Sequence, residues 1–507
     1  MVTENEQIES TSSEQMAIRA AKREKMIAAG IEPYPAELPV TATIAGVREE
    51  HEGLEPGTEL EDTVVGIAGR VMLMRTSGKL FFATLQDGPG NRIQVMLSQK
   101  IVGEDEMARF KADVDMGDHI FIQGHVGTSR RGELSIFAHE WKMASKALRP
   151  LPKTYTKEDG EEAGLSEENR VRMRHLDLIM RPAAREMIRV RANVMKSLRS
   201  TFDNRGYVEI ETPTLQPIHG GAAARPFTTH INAYDEDLYL RIATELYLKR
   251  AVVGGIDKVF EIGKNFRNEG ADSTHSPEFT ALEVYQSYGT YDTMAELTRA
   301  LIQNAAMDSL GTTLVTLADG TEYDLGGEWT ELDLYESLSE ALGQEVTVQT
   351  SRDELEKIAD QHDIGVAPYA VAGKIAEDLW EELVGDKLWA PTFVRDFPED
   401  TSPLTRPHRT KPGVTEKWDL YIRGVETGTA YSELADPVIQ RERLVAQSLA
   451  AADGDPEAMQ LDEDFIQAME QGFPPAGGMG MGIDRLLQAI TGLGIRETIA
   501  FPYVRRR

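Results

Sequence analysis

Two hydrophobic periods divide the chain. Between residues 63 and 145 short apolar runs recur. Val64–Met74, Leu80–Gln86 and Arg92–Leu97 are rich in β-branched and apolar residues, and Ser77-Gly78 and Asp87-Gly88-Pro89-Gly90-Asn91 read as the turns between them. A short helix is predicted over Asp105–Ala112, followed by strands over His119–Val126 and Glu133–Met143. Three strands, a helix and two strands form the pattern of a five-stranded OB barrel, a fold whose strand 2–3 face binds oligonucleotides. The same spacing also suits another small barrel. Ahead of this unit, Met16–Ala29 lacks Gly and Pro and reads as a helix stopped by Gly30 and Pro33. Residues 1–15 are polar and acidic and read as a disordered tail, leaving 16–62 as a helical extension. The stretch Leu148-Arg-Pro-Leu-Pro-Lys153 reads as a linker.

Beyond the linker the period lengthens. Met187, Val190, Val194, Leu198 and Phe202 fall three or four residues apart, which predicts a helix over Ala183–Asn204 ended by Gly206. A strand, Tyr207–Glu211, is closed by Thr212-Pro213, and further strands are expected at Leu238–Ile242, Lys258–Ile262, Phe279–Tyr288, Trp418–Ile422 and Thr429–Glu433. With helices between them, these give an α+β class, a large, mainly antiparallel sheet with flanking helices, behind an N-terminal barrel. The barrel is placed at 63–150 and the second domain at 165–507, with helical, acidic sequence at 310–415 read as an insertion.

Candidate chemistry lies on the second domain's strands. A period of two puts Phe279, Ala281, Glu283 and Tyr285 on one face and Leu282 and Val284 on the other. Thr429, Tyr431 and Glu433 repeat that arrangement, and Glu245 heads a helix. Carboxylates gathered on buried faces repel one another unless a cation meets them, so a substrate amine, a metal or both is expected. The run Gly477-Gly-Met-Gly-Met-Gly-Ile-Asp-Arg485 lets a strand approach a ligand closely and sets Arg485 in the first turn of a helix, where an anion such as phosphate would balance it. The run matches neither a P-loop nor a dinucleotide fingerprint. Read alone, it also suits a flexible connection, and Arg267-Asn268-Glu269 a surface ion pair.

Composition narrows the class. The 507 residues allow several domains, each with its own core. There is no cysteine, so disulfides, thiolate metal sites and a cysteine nucleophile are excluded. No run has the roughly 18 apolar residues of a membrane span, and the acidic N-terminus is no secretory signal, so a cytoplasmic location is expected. The net charge of −30 weighs against a nucleic-acid partner unless positive charge is local.

Specific motifs supply that exception. The Thr212-Pro213 strand end, the Phe266-Arg267-Asn268-Glu269 loop and the Gly480–Arg485 run resemble motifs 1, 2 and 3 of class II aminoacyl-tRNA synthetases. Gly220-Gly-Ala-Ala-Ala-Arg-Pro-Phe227, Leu238–Arg250, His275-Ser-Pro-Glu-Phe279 and Tyr431-Ser-Glu-Leu434 resemble, more narrowly, the bacterial-type lysyl-tRNA synthetases. The likeness runs from residue 16 to the end and includes Leu80–Asp87 and Arg92-Ile-Gln94. It implies a ligase that joins L-lysine to tRNA(Lys) with ATP and Mg²⁺, as a homodimer. The 63–150 segment would be its anticodon-binding domain and 165–507 its catalytic domain.

The resemblance also assigns residues. Arg267 and Arg485 would be the catalytic cations on the phosphates, with Glu269, His275 and Phe279 completing the ATP site. Gly221, Glu245, Glu283, Tyr285, Thr429, Tyr431 and Glu433 would hold lysine, and Asp419 and Glu426 the metal. In the barrel Arg75, Phe82, Gln94 and Glu133 would read the anticodon, with the basic helix at Arg19–Lys25 as an auxiliary tRNA contact. A protein-lysylating relative would lack the barrel, and aspartyl or asparaginyl enzymes would not place Glu283 and Glu433 around their substrates.

Overall fold

A computed structural model describes residues 4–152, 155, 156, 162–270, 275–452 and 459–505. They fall into two compact units, Met1–Arg185 and Glu186–Arg507.

In the first unit, strands β1 (Glu59–Ser77), β2 (Leu80–Gln86), β3 (Arg92–Ser98), β4 (His119–Thr128) and β5 (Leu134–Ser145) close a barrel in the order β1-β2-β3-β5-β4. The parallel β3–β5 pairing completes the OB topology. Each strand sends alternate apolar residues inward, among them Ile67, Val71, Leu85, Ile93, Val95, Leu97, Ile120, Ile122 and Ile136. Phe110, from the helix Glu104–Asp113, caps this core edge-on between Phe81 and Trp141.

The N-terminal extension differs from expectation in two ways. Its first helix runs Glu4–Ala28, so residues 4–15 are helical where a tail was expected, which fits a segment without Gly or Pro; residues 1–3 lie outside the described residues. The basic residues expected to face tRNA also hold the helix to the barrel. Arg19, 5% exposed, donates to the carbonyls of Ala147 and Met116, and Lys22 Nζ lies 2.7 Å from Asp115. Met26, with Ile44 and Val47 of the helix Ile44–His51, joins the barrel core.

By contacts alone, the first turns after residue 165 group with the barrel unit. Gln86 bonds the Ile179 carbonyl and Arg185 bonds those of Leu178, Ile179 and Pro89.

The second unit is built on an eight-stranded sheet. Its strands in chain order are β6 (Val208–Glu209), β7 (Lys258–Phe266), β8 (Glu278–Ser287), β9 (Thr330–Asp333), β10 (Thr392–Arg395), β11 (Lys417–Ile422), β12 (Val425–Ser432) and β13 (Ala476–Gly482). Across the sheet the order is β9-β10-β11-β12-β13-β8-β7-β6, antiparallel except at the two edge pairs. One face carries the core. The helix Pro182–Asn204 lays Val190, Val194, Leu198 and Phe202 against it, and Leu282, Val284, Met479 and Met481 meet them from the strands. By the pleat, Glu283, Tyr285, Thr429 and Tyr431 take the opposite face.

The 310–415 region is more than an insertion. Helices Leu334–Leu342, Arg352–Gln361 and Ala372–Leu383 enclose a separate core around Leu338, Leu355, Leu379 and Trp380, yet β9 and β10 extend the main sheet beside β11. Strands of four residues, one of them Thr-Glu-Leu-Asp, carry too little apolar alternation to be read in advance.

Candidate active site

The open face of β7, β8, β12 and β13 gathers the site. Buried ion pairs fix its frame. Arg241 Nη1 lies 2.6 Å from Glu261 Oε1, and the other Glu261 oxygen accepts from the backbone N–H and hydroxyl of Thr212, which pins the strand end ahead of Pro213. Asp484, in the first turn of the helix Ile483–Thr491, accepts from Arg191 at 2.6 Å and from the Thr280 N–H at 2.9 Å. The start of that helix is thereby tied to β8. A buried carboxylate there also offsets part of the conflict between Arg485 and the helix dipole.

The Arg267 loop is held by backbone. Arg267 N–H donates to the Pro277 carbonyl, Asn268 N–H to that of Arg225, and Glu269 accepts from Arg225 N–H at 3.1 Å. The Arg267 guanidinium lies 5.1 Å from the Phe279 ring, and its Nε is buried without a hydrogen-bond partner. Burial lowers its pKa, Glu269, Glu426 and Glu283 oppose that, and the nearby Arg485 adds to it. Arg485 donates to the Glu426 carbonyl at 2.7 Å and lies 3.8 Å from its carboxylate. Two cations thus lie near each other, with the half-buried Phe279 ring beside Arg267. His275 is exposed, and residues 271–274 lie outside the described residues.

The carboxylate cluster is more deeply buried. Glu245, Glu283 and Glu433 are all buried. Glu283 accepts from Thr244 N–H at 3.0 Å, and Tyr431 donates to Glu245 at 2.7 Å. Burial, then Glu245, pushes the Glu283 carboxyl up to about 7, and burial raises Glu433 as well. Tyr285 and Tyr431 are driven well above their usual value by burial and then by the same carboxylates. Glycine is required at two walls. Gly221 adopts φ +84°, and a Cβ there would sit 3.0 Å from Glu245 Cβ. A Cβ on Gly478 would fall 2.0 Å from Glu433 Oε1.

One occupant of the pocket escaped the sequence reading. Lys249, one turn after Glu245, places Nζ 2.6 Å from Glu245 and 2.5 Å from Glu433. The i, i+4 pairing with Glu245 was the available signal. The cation that the carboxylates call for is therefore supplied in part by the chain itself.

Asp419 and Glu426 lie on the neighbouring strands β11 and β12. Asp419 Oδ1 is buried without a hydrogen-bond partner, Oδ2 lies 3.2 Å from Lys417 Nζ, and burial raises the carboxyl's pKa. Thr429, opposite Asp419, reaches the Trp418 carbonyl at 3.4 Å.

On the barrel, register aligns Arg75 with Phe82 and Gln94 with Ser135. Arg75 lies over the Phe82 ring at 4.3 Å and donates to Gln94, which donates to Ser135. Glu133 is exposed in the turn just before β5.

An OB barrel joined to an antiparallel sheet that presents two arginines, a glycine strand and buried carboxylates defines a class II aminoacyl-tRNA synthetase. Residues 166–505 match the class II tRNA synthetases (D, K and N), and residues 65–144 the OB-fold nucleic acid binding domain. Among similar proteins are the lysine–tRNA ligases of Kineococcus radiotolerans, 59% identical over 97% of both chains, and of Mycolicibacterium gilvum, 58% identical over the same shares. A lysylphosphatidylglycerol biosynthesis bifunctional protein of Gordonia bronchialis is 49% identical over 97% of this chain, which covers 42% of that protein. The chain belongs to the lysine–tRNA ligase family. Among the described residues no helix is long and apolar enough to cross a membrane.

Proposed function

We propose that this chain activates L-lysine with ATP to lysyl-adenylate and pyrophosphate, then transfers lysine to the 3′ end of tRNA(Lys). The observation that carries the reading is the buried triad Glu245, Glu283 and Glu433 beside Arg267. Lysine presents two ammonium groups to the carboxylates and one carboxylate to the guanidinium. In our reading Glu245 and the backbone at Gly221 take the α-ammonium, Glu283, Tyr285 and Glu433 take the ε-ammonium, and Tyr431 and Thr429 shape the pocket between them.

The lysine carboxylate oxygen attacks the α-phosphorus, and the bond from that phosphorus to the pyrophosphate oxygen breaks. Arg267 neutralises charge at the α-phosphate and Arg485 at the γ-phosphate, while Phe279 stacks on adenine beside Glu269 and His275. Catalysis then rests on positioning and electrostatics and needs no side-chain nucleophile. The terminal ribose hydroxyl of tRNA next attacks the adenylate carbonyl and AMP leaves.

Asp419 and Glu426 suit Mg²⁺: both are hard oxygen donors, and Asp419 Oδ1 has no hydrogen-bond partner. In our reading phosphate and water complete the ion's shell. Bound there, Mg²⁺ would neutralise phosphate charge. Arg75, Phe82, Gln94 and Glu133 would read the anticodon, by stacking on Phe82 and hydrogen bonds to base edges. Val208 and Leu215, each about half exposed around Thr212-Pro213, support a homodimer through that segment.

The test is amino-acid-dependent pyrophosphate–ATP exchange across all twenty amino acids, with and without tRNA. Exchange with lysine alone is expected; exchange with another amino acid, or with none, overturns the reading.

A further inference from the structure

The pocket proposed for the substrate's amines already holds an ammonium. Lys249 is 1% exposed, which is rare for lysine. Its Nζ lies 2.6 Å from Glu245 Oε1 and 2.5 Å from Glu433 Oε2, with the Tyr285 and Tyr431 rings 5.8 and 5.5 Å away. Burial alone would lower its pKa, but the two carboxylates outweigh burial and hold it above its ordinary value. The other charged or titratable groups around this cluster are Glu283, Tyr285, Tyr431 and, acting on Glu283, Arg267. Lys249 meets Glu433 at Oε2, while Oε1, buried against Gly478, has no hydrogen-bond partner.

Charge counting gives Lys249 a role. With all three carboxylates ionised, as binding of two ammonium groups requires, they carry −3, and Lys249 brings the pocket to −2. A lysine substrate brings two ammonium groups, and its carboxylate is met separately by Arg267. Without Lys249 one buried carboxylate would stay unmatched or take a proton. We propose that Lys249 is a positioning and specificity-determining residue that holds Glu245 and Glu433 in place and sets the pocket's charge to match a substrate with two amines. The inference rests on the lysine-binding reading above.

The test compares wild type with Lys249→Met in lysine-dependent pyrophosphate–ATP exchange, following KM for lysine and for ATP from neutral to alkaline pH. Losing the cation raises the Glu433 pKa, and lysine binds the ionised carboxylate. Lysine KM should therefore rise about tenfold or more at neutral pH and recover at higher pH than in wild type, with ATP KM unchanged. A merely structural residue would not move that profile.

Should Lys249→Met fail to fold, the double variant Lys249→Met/Glu433→Gln removes both charges of the buried pair, a change that proteins tolerate better. Its lysine KM should stay close to that of Glu433→Gln alone. An unshifted pH profile in the single variant, or a further tenfold loss in the double, overturns the inference. A wild-type enzyme with no lysine-dependent exchange would instead overturn the functional reading beneath it.

Discussion

Replacing Gly478 by alanine tests the amine pocket with one added carbon. Gly478 has no left-handed φ, so the backbone accepts alanine, and the effect must come from what the new methyl meets. It would lie 2.0 Å from Glu433 Oε1, 2.4 Å from Tyr285 Cε1 and 2.7 Å from Tyr285 Cδ1. Ordinary carbon contacts begin near 3.5 Å, so both side chains must retreat by about 1 Å or more. Neither moves freely, because Glu433 is tied to Lys249 and Tyr285 is packed in the core beneath it.

Overpacking of this kind costs about 1–3 kcal/mol of stability. A displaced Glu433 also loses a charged hydrogen bond to the substrate, about 1.5–3 kcal/mol, or roughly tenfold to a hundredfold in lysine affinity. The assay is pyrophosphate–ATP exchange with lysine and ATP varied separately, alongside thermal unfolding. Gly480→Ala is the control on the same face of β13: its methyl would meet only Glu283 Cγ at 3.9 Å and Thr429 Cγ2 at 4.0 Å. Its Tm should match or slightly exceed wild type. A folded Gly478→Ala enzyme whose lysine KM stays within about twofold of wild type refutes the placement of Glu433 and Tyr285 in the pocket.

Glu433→Gln should raise lysine KM at least about tenfold and leave ATP KM unchanged, measured by the same exchange assay; equal losses would make Glu433 structural. Burial holds the Glu283 carboxyl near 7 and an ammonium binds its ionised form, so lysine KM should climb as pH falls through 7, by up to about tenfold per unit, while ATP KM stays level. Asp484→Ala leaves the Thr280 N–H without its acceptor and takes the carboxylate from Arg191, which keeps the Thr498 carbonyl and the Thr280 hydroxyl, and should cost about 1–3 kcal/mol in chemical denaturation; a loss under about 0.5 kcal/mol would show that the helix carrying Arg485 is held otherwise. Phe82→Ala should weaken tRNA charging by about 1–3 kcal/mol with lysyl-adenylate formation intact, at two salt concentrations alike.

The periods that bury one face of an element were legible. Val190, Val194, Leu198 and Phe202 announced the long helix, and Phe279, Glu283 and Tyr285 share a face as the two-residue period requires. The strands β9 and β10 were not legible, because a four-residue edge strand is specified by the sheet it joins more than by its own pattern. Charge was the least legible property. Arg19 and Lys22 look like a solvated or phosphate-seeking face, and only the fold reveals the barrel carbonyls and Asp115 that take them up. Lys249 failed for the same reason: a lysine on an amphipathic helix reads as surface until its neighbours are known.

That last case bears on how the site discriminates. A pocket of three buried carboxylates is costly by itself, and the raised pKa values of Glu283 and Glu433 record the cost. The cost works against wrong substrates. An amino acid with an apolar side chain of similar length would leave a carboxylate buried and unpaired, or force it to bind a proton. Either outcome carries the penalty of an unmatched polar group, which discriminates far more strongly than a missing methylene. One internal cation is compatible with this, because Lys249 removes one charge and leaves two. A second internal cation would not be, since the pocket would then be satisfied by a substrate with a single amine.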